Sequence, residues 1–355
     1  MHDTMKFWLP YTRGGSGADV SIEFLAKGLR QAGHQAKAQR YPHNLQYAPW
    51  LLRTAKPPAG TDVIISNSWN GFAFHRPKLV NITVERLFVL DPAYKPYKSR
   101  AQSLFHDTLV QHCLRRSIAT ADRCVAVSDY TARAVAEYLR VPKPQTILNA
   151  VDTTYFKPAE HDARQENRNS RPFRMLFIGN FTRRKGADLL VDIMHRLGDG
   201  FELAFTSGRD AAARDQLPAN MHCLGQLSLD EVRTAYRQAE ALLFPSRLEG
   251  LPRTVMESLA CGTPVIAADT SSLPEAVDHV RTGILCPLDD ADAFAAAARR
   301  LATDRALWSS MVQAARETAL KRFSLDRMVR DYIDLAARLL EDKGNANAET
   351  LRATG

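Results

Sequence analysis

The feature that most constrains this chain is an alternation. Short apolar runs recur along it, among them Val63-Ile64-Ile65, Cys124–Val127, Met175–Ile178, Ala241–Phe244 and Pro264–Ala267. Runs this short, and apolar throughout, fit strands covered on both faces. Between them the apolar residues take helical spacing. Ile22, Leu25 and Leu29 form one stripe ahead of Gly33, which can end that helix. Strand and helix in turn give parallel sheets with helices on both faces, so the expected fold class is α/β. The 355 residues exceed one ordinary core and suit two such domains.

Residues 157–172, KPAEHDARQENRNSRP, carry almost no large apolar side chain and read as a polar linker. The expected N-terminal domain is then 1–156 and the C-terminal domain 173–322. Residues 323–343 read as an amphipathic helix packing on or across both, and 344–355 as a frayed tail. A net charge of +8 favours anionic partners, although an Arg-rich soluble surface accounts for it as well. The dense basic run is short, Arg183-Arg184-Lys185. A continuous basic stripe with interleaved aromatics is missing, so nucleic acid is not an expected partner. No apolar run reaches membrane-spanning length and MHDTMKFWLPYTRGG lacks a secretory core, so a cytoplasmic location is expected. Five scattered cysteines without a CxxC pair suggest neither zinc nor a disulfide framework. A GxxxxGK[ST] loop is also missing, which argues against an ATPase.

Ligands of open parallel sheets bind beyond the carboxyl ends of the strands, so the chemistry should follow the apolar runs. After Phe244 comes Pro-Ser-Arg-Leu-Glu249-Gly-Leu-Pro-Arg-Thr-Val-Met-Glu257, then Cys261-Gly-Thr-Pro-Val265. A short helix is expected from near Pro252, a favoured first helical residue, to Gly262. The N–H groups of Arg253, Thr254 and Val255 at its start would make an anion site suited to a diphosphate. Glu249 and Glu257 could accept hydrogen bonds from opposite ends of one ligand. Spacing alone leaves an ordinary helix with solvated glutamates equally open. A second strand leads into Gly179-Asn180-Phe-Thr-Arg183-Arg184-Lys185-Gly186. Gly179 permits close backbone approach. Lys185, with Arg184 or Arg183, could neutralise a diphosphate, and a solvated basic turn is the other reading. A third candidate is Arg13-Gly14-Gly15-Ser16-Gly17, after the first expected strand at Met5–Leu9. Asp290-Ala-Asp292 matches a DxD metal motif, but it opens an Ala-rich helix that capping explains better. His106 and His112 are expected on a helix as structural or surface residues.

The second and third motifs and the pair of glutamates resemble the GRxxxxKG, glycine-loop and EGxPxxxxE…CGxPV signatures of the family-4 glycosyltransferases, the glycosyl transferases group 1. Lesser echoes run from Gly33-His34 through Leu148–Asp152 to Phe323-Ser324. The resemblance implies the GT-B fold: two Rossmann-like, doubly wound parallel-sheet domains facing a central cleft. It implies a retaining, metal-independent transfer from a UDP- or GDP-linked sugar, with no other cofactor. Glu249 would contact the donor-sugar hydroxyls and Glu257 the ribose. Leu251 and Pro252 would lead into the amides of Arg253, Thr254 and Val255, and Gly15 would lie under the diphosphate. Lys185 would face that diphosphate. Asn180 stands where the family carries an arginine after the glycine, so Arg184 or Arg183 is expected to supply the missing charge.

On the acceptor side Glu85 holds the place where relatives often carry a histidine. Pairing with Arg86 or capping a loop is the competing reading of Glu85. The resemblance further implies front-face transfer, in which the departing phosphate assists deprotonation of the acceptor hydroxyl. It points to a glycan or lipid-linked acceptor in bacterial surface polysaccharide or lipopolysaccharide synthesis. Trp8, Tyr41, Tyr47, Trp50, Trp69, Tyr94 and Tyr97, with Lys95, Lys98, Arg100, Arg115 and Arg116, fit peripheral attachment to an anionic inner-membrane face. A solvated surface fits them too. The rival functions are a sugar-nucleotide epimerase or glycosidic phosphorylase of the same fold and, more remotely, a non-enzymatic anion- or nucleic-acid-binding protein.

Overall fold

The computed structural model describes residues 4–14, 17–160, 164, 171–206 and 217–354, with side chains as far as 346. They fall into two compact units, unit 1 from residues up to 149 and from 325 onward, and unit 2 from 150–324.

Unit 1 alternates as its sequence suggests: β1 (Lys6–Thr12), α1 (Gly17–Gln31), β2 (Gln35–Tyr41), β3 (Val63–Asn67), α2 (Gly71–Phe74), β4 (Val80–Glu85), α3 (Arg100–Phe105), α4 (Gln111–Thr120), β5 (Arg123–Ala126), α5 (Asp129–Leu139) and β6 (Gln145–Thr146). Among the described residues these strands form a six-stranded sheet in the order β2-β1-β3-β4-β5-β6, with parallel pairings throughout. Central β4 is buried along its whole length, whereas edge strand β2, QAKAQRY, is polar and half exposed. A polar edge keeps its open hydrogen-bonding groups solvated. Trp8, grouped above with surface aromatics, is instead fully buried in β1, edge-on to Phe74 and bonded to Gln39. One face of a central strand points into the core, and its indole N–H finds a partner there.

Unit 2 repeats the pattern: β7 (Phe173–Phe177), α6 (Ala187–Leu197), β8 (Phe201–Phe205), β9 (Met221–Cys223), α7 (Leu229–Gln238), β10 (Ala241–Phe244), α8 (Arg253–Ala260), β11 (Val265–Ala268), α9 (Leu273–Ala276), β12 (Gly283–Cys286), α10 (Ala291–Thr303) and α11 (Arg305–Arg322). Its sheet runs β12-β11-β10-β7-β8-β9, again parallel. The all-apolar strands β10 and β11 are fully buried, as strands covered on both faces must be. Helix starts are set by side-chain caps. Ser228 and Glu231 form a capping box on α7, and Asp290 and Asp304 cap α10 and α11. Asp290 thus caps a helix, while Asp292 pairs with Arg196.

The last helix, α12 (Leu325–Thr354), belongs to unit 1. It starts later than the sequence suggests and continues through the stretch read as a frayed tail. One glycine at 344 costs a helix only about 1 kcal/mol, and the Ala, Glu, Leu and Arg that follow are good helix formers. Gly28 of α1 provides its seat, since a Cβ there would lie 2.5 Å from Val329. Arg327 donates to the carbonyls of Leu148 and Asn149, each at 2.9 Å. Most of the polar stretch 157–172 lies outside the described residues. Arg164 within it is buried in unit 2, bonded to the carbonyl of Gly262 and to Thr263 Oγ1, with Trp308 beneath its guanidinium.

Candidate functional site

In a doubly wound sheet the ligand site lies where the chain order reverses. In unit 2 that point is between β7 and β10, because the chain runs outward from β7 to β9 and then returns to β10 on the other side. The basic loop after β7 and the acidic loop after β10 therefore lie side by side. Gly186 makes their contact possible. Its φ is +74°, and a Cβ on it would sit 2.2 Å from the carbonyl oxygen of Pro245. Only glycine tolerates both the left-handed backbone and that approach.

Lys185 and Glu249 meet here, with Nζ donating to Oε1 at 2.6 Å. Arg184 Nη1 donates to the same oxygen at 3.2 Å and to the carbonyl of Leu248 at 2.6 Å. Ser246 Oγ adds a third bond to Oε1 at 2.6 Å. All three converge on Oε1, so Oε2 has no protein partner among the described residues. Burial would raise the Glu249 pKa, but Lys185 and Arg184 outweigh it and hold the carboxylate below its usual range. The Lys185 ammonium also sits 5.1 Å from the Phe244 ring centre. The Glu249 main chain is fixed by two serines the sequence reading missed. Its N–H donates to Ser271 Oγ and its carbonyl accepts from Ser272 Oγ, both at 3.1 Å. Their signal was position, since they follow β11 at its carboxyl end.

Of the two candidate arginines, Arg184 joins this cluster. Arg183 is exposed, 4.0 Å from Asp188. Arg247, also missed, is buried and holds Asp188 through two bonds, Asp289 through Nε and the carbonyl of Arg183. It ties the basic loop to the first turn of α6. Gly179 donates its N–H to Thr206 Oγ1 at 2.9 Å, and Asn180 is exposed, its carbonyl accepting from Thr182.

Glu257 belongs to a second group. It is buried on α8, accepting from Arg253 Nη2 at 2.9 Å and from the Tyr236 hydroxyl at 3.2 Å. Burial raises its pKa, and Arg253 works against that rise. Pro252 is the N-cap of α8 rather than its first residue, and Leu251 and Val255 are buried apolar side chains. What this segment can offer a ligand is backbone. The amides of Arg253, Thr254 and Val255 have no acceptor within their own helix. Gly15 lies outside the described residues.

Unit 1 has its own switch point, between β1 and β3. A cavity of about 300 Å³ lies there, lined by residues that follow β1, β3 and β4, including Asn70 and Glu85. Glu85 ends β4 and is buried. It accepts from Ser68 Oγ at 2.7 Å and from the Leu87 N–H at 3.2 Å, so it caps the loop as well as lining the cavity. Arg86 turns instead to Asn67 and Asn149. Burial pushes the Glu85 pKa up to about 7, against the opposing pull of Ser68 and the loop amides. His106 is buried among aromatic rings and burial lowers its pKa to about 4, while His112 is exposed on α4. Among the described residues no group of three His, Cys, Asp or Glu is placed to hold a metal ion.

The family model for glycosyl transferases group 1 matches residues 172–304, from just before β7 to the end of α10. Over that segment the chain resembles the members of that family. The matched segment is the part of unit 2 that carries Lys185, Glu249 and Glu257. Among curated relatives of the chain, N-acetyl-alpha-D-glucosaminyl L-malate synthase of Bacillus anthracis is 26% identical over 249 residues, covering 67% of the chain and 65% of that relative. The chain thus spans just under two thirds of that relative's length. Sucrose-phosphate synthase of Thermosynechococcus elongatus superposes with a TM-score of 0.79 at 18% identity, covering 95% of this chain and all of that one. Anabaena HepE, solved in complex with UDP-glucose, superposes at 0.71 with 17% identity, over 94% of this chain and 99% of its own. These likenesses give the chain the GT-B fold, with two parallel sheets and flanking helices.

Proposed function

We propose that the protein is a retaining glycosyltransferase that moves a sugar from a nucleotide-diphosphate donor to a glycan or lipid-linked acceptor without a metal ion. The observation that carries this reading is the cluster of Lys185, Arg184 and Glu249 at the unit 2 switch point, with Oε2 of Glu249 left open. Oε2 would accept from donor-sugar hydroxyls. Lys185 and the first amides of α8 would hold the diphosphate, and Glu257 the ribose. A UDP-linked donor is favoured because Anabaena HepE was solved with UDP-glucose.

In the reaction the bond between the anomeric carbon and the diphosphate oxygen breaks. The acceptor oxygen bonds to the same face of that carbon, and its proton passes to the departing phosphate. The protein's task is to stabilise charge on that phosphate with donors already in place. The test is a transfer assay with UDP- and GDP-sugars and product anomer analysis by NMR. Nucleotide release with the donor's anomeric configuration retained supports the reading, and an inverted product or epimerised donor overturns it.

The same reading places the protein in surface polysaccharide synthesis, held peripherally on an anionic membrane face. Tyr47, Trp50, Leu51 and Leu104 support this, each at least half exposed on unit 1. No helix among the described residues is long and apolar enough to cross a membrane.

A further inference from the structure

Four non-glycine residues among those described hold a left-handed backbone: Arg140, Ser271, Val280 and Asp289. Such residues carry strain, and they gather where a fold must aim a functional group. Arg140 has an ordinary reason, since it ends α5. Ser271 ends no helix. It lies in the short turn from β11 to α9, with a φ of +50°. Its hydroxyl reaches the loop after β10, where Oγ accepts from the Glu249 N–H at 3.1 Å. Glycine would take this backbone without strain, and what it would lack is the hydroxyl. Ser272, fully buried, donates to the Glu249 carbonyl at 3.1 Å. Lys185, Arg184 and Ser246 hold Oε1 of the same residue. Both backbone polar groups of Glu249 and one carboxylate oxygen are therefore fixed, which sets the direction of Oε2. A carboxylate that must meet a sugar in one orientation benefits from such a hold, because no reorganisation is needed as the reaction proceeds. Asp289, with a φ of +61°, repeats the arrangement after β12. It accepts from Arg247 Nε at 2.6 Å, and Arg247 in turn holds the basic loop through the carbonyl of Arg183.

We propose that Ser271 is a positioning residue for the transfer: its hydroxyl holds the Glu249 backbone so that Oε2 faces the donor sugar. The proposal rests on the transferase reading and adds to it a residue that acts through Glu249. Ser271→Ala and Ser271→Gly both remove the hydroxyl, and only the second relieves the backbone. Ser271→Thr keeps the hydroxyl and adds strain, because a branched side chain fits a left-handed backbone poorly. In the full chain kcat is expected to fall about 10- to 100-fold in S271A and S271G alike, although S271G has the higher urea midpoint. S271T is expected to turn over faster than either, at a lower midpoint. UDP and GDP lack the sugar, so whichever of them binds wild type should bind the variants equally well. Turnover that follows the urea midpoint across the three variants, wild-type turnover in both S271A and S271G, or nucleotide binding lost together with turnover overturns the proposal. Hydrogen exchange at the Glu249 N–H, read by NMR, tests the hold without any substrate. It should be about 10-fold faster in S271A than in wild type, and equal exchange overturns the proposal by itself. If wild type transfers no sugar from either donor, it is the transferase reading that fails, and the exchange rate still decides whether Ser271 holds Glu249.

Discussion

At the residue scale the account turns on buried charge. Lys185 is the donor we expect to hold the departing phosphate, and losing one fixed donor of this kind costs about 2.7–4 kcal/mol of transition-state stabilisation. Lys185→Ala should therefore lower kcat about 100- to 1000-fold. Glu249 keeps Arg184 and Ser246, so the variant should still fold. Circular dichroism alongside nucleotide release checks this, and near-normal turnover would remove Lys185 from the chemistry. Glu85 makes a prediction about pH. Its pKa rises from 4.5 to about 7 on folding, so between those values the native state binds more protons than the unfolded one. Its contribution to stability is thus fully present below about pH 4.5 and lost as pH rises to about 7, on the order of 3 kcal/mol in all. Urea midpoints at pH 5 and pH 8 should fall less in Glu85→Gln than in wild type, and equal falls would contradict it. The sequence showed both residues but not their partners. Nothing in Arg183-Arg184-Lys185 says which arginine turns inward, because that depends on how a single turn seats on a loop 65 residues away.

At the element scale the alternation was legible because buried strands leave an unbroken apolar trace, as in β10 and β11. Sheet order leaves no such trace. The motifs after β7 and β10 could each be read, but their adjacency follows from the chain's return across the sheet. The serines after β11 were hidden for the same reason. Gly186 is where this arrangement is most exposed to change. Gly186→Ala combines left-handed strain of about 1–2 kcal/mol with overpacking of about 1–3 kcal/mol, for a loss of about 2–5 kcal/mol. Urea unfolding measures it, and a loss under about 1 kcal/mol would mean that the two loops do not seat as described. Helix α12 shows the limit of reading ends from polarity. The run after Gly344 is polar yet helical, since its Ala, Glu, Leu and Arg residues favour a helix.

At the scale of the whole molecule, charge and exposed apolar surface suggest where the protein works. A net charge of +8, with Trp50 and Leu51 exposed, predicts flotation with liposomes of anionic lipid at low salt and release as salt rises. Trp50→Ser with Leu51→Ser should weaken that binding without altering nucleotide release, and no flotation at low salt would remove the membrane assignment. The central claim is narrower. It is that unit 2 holds a nucleoside diphosphate through Lys185 and the opening amides of α8. Titration calorimetry of UDP and GDP into wild type and Lys185→Ala tests this most directly. The account predicts one-site binding of at least one nucleotide to wild type, weakened 10-fold or more in the variant. Absence of heat from both nucleotides, or the same affinity with and without Lys185, would contradict it.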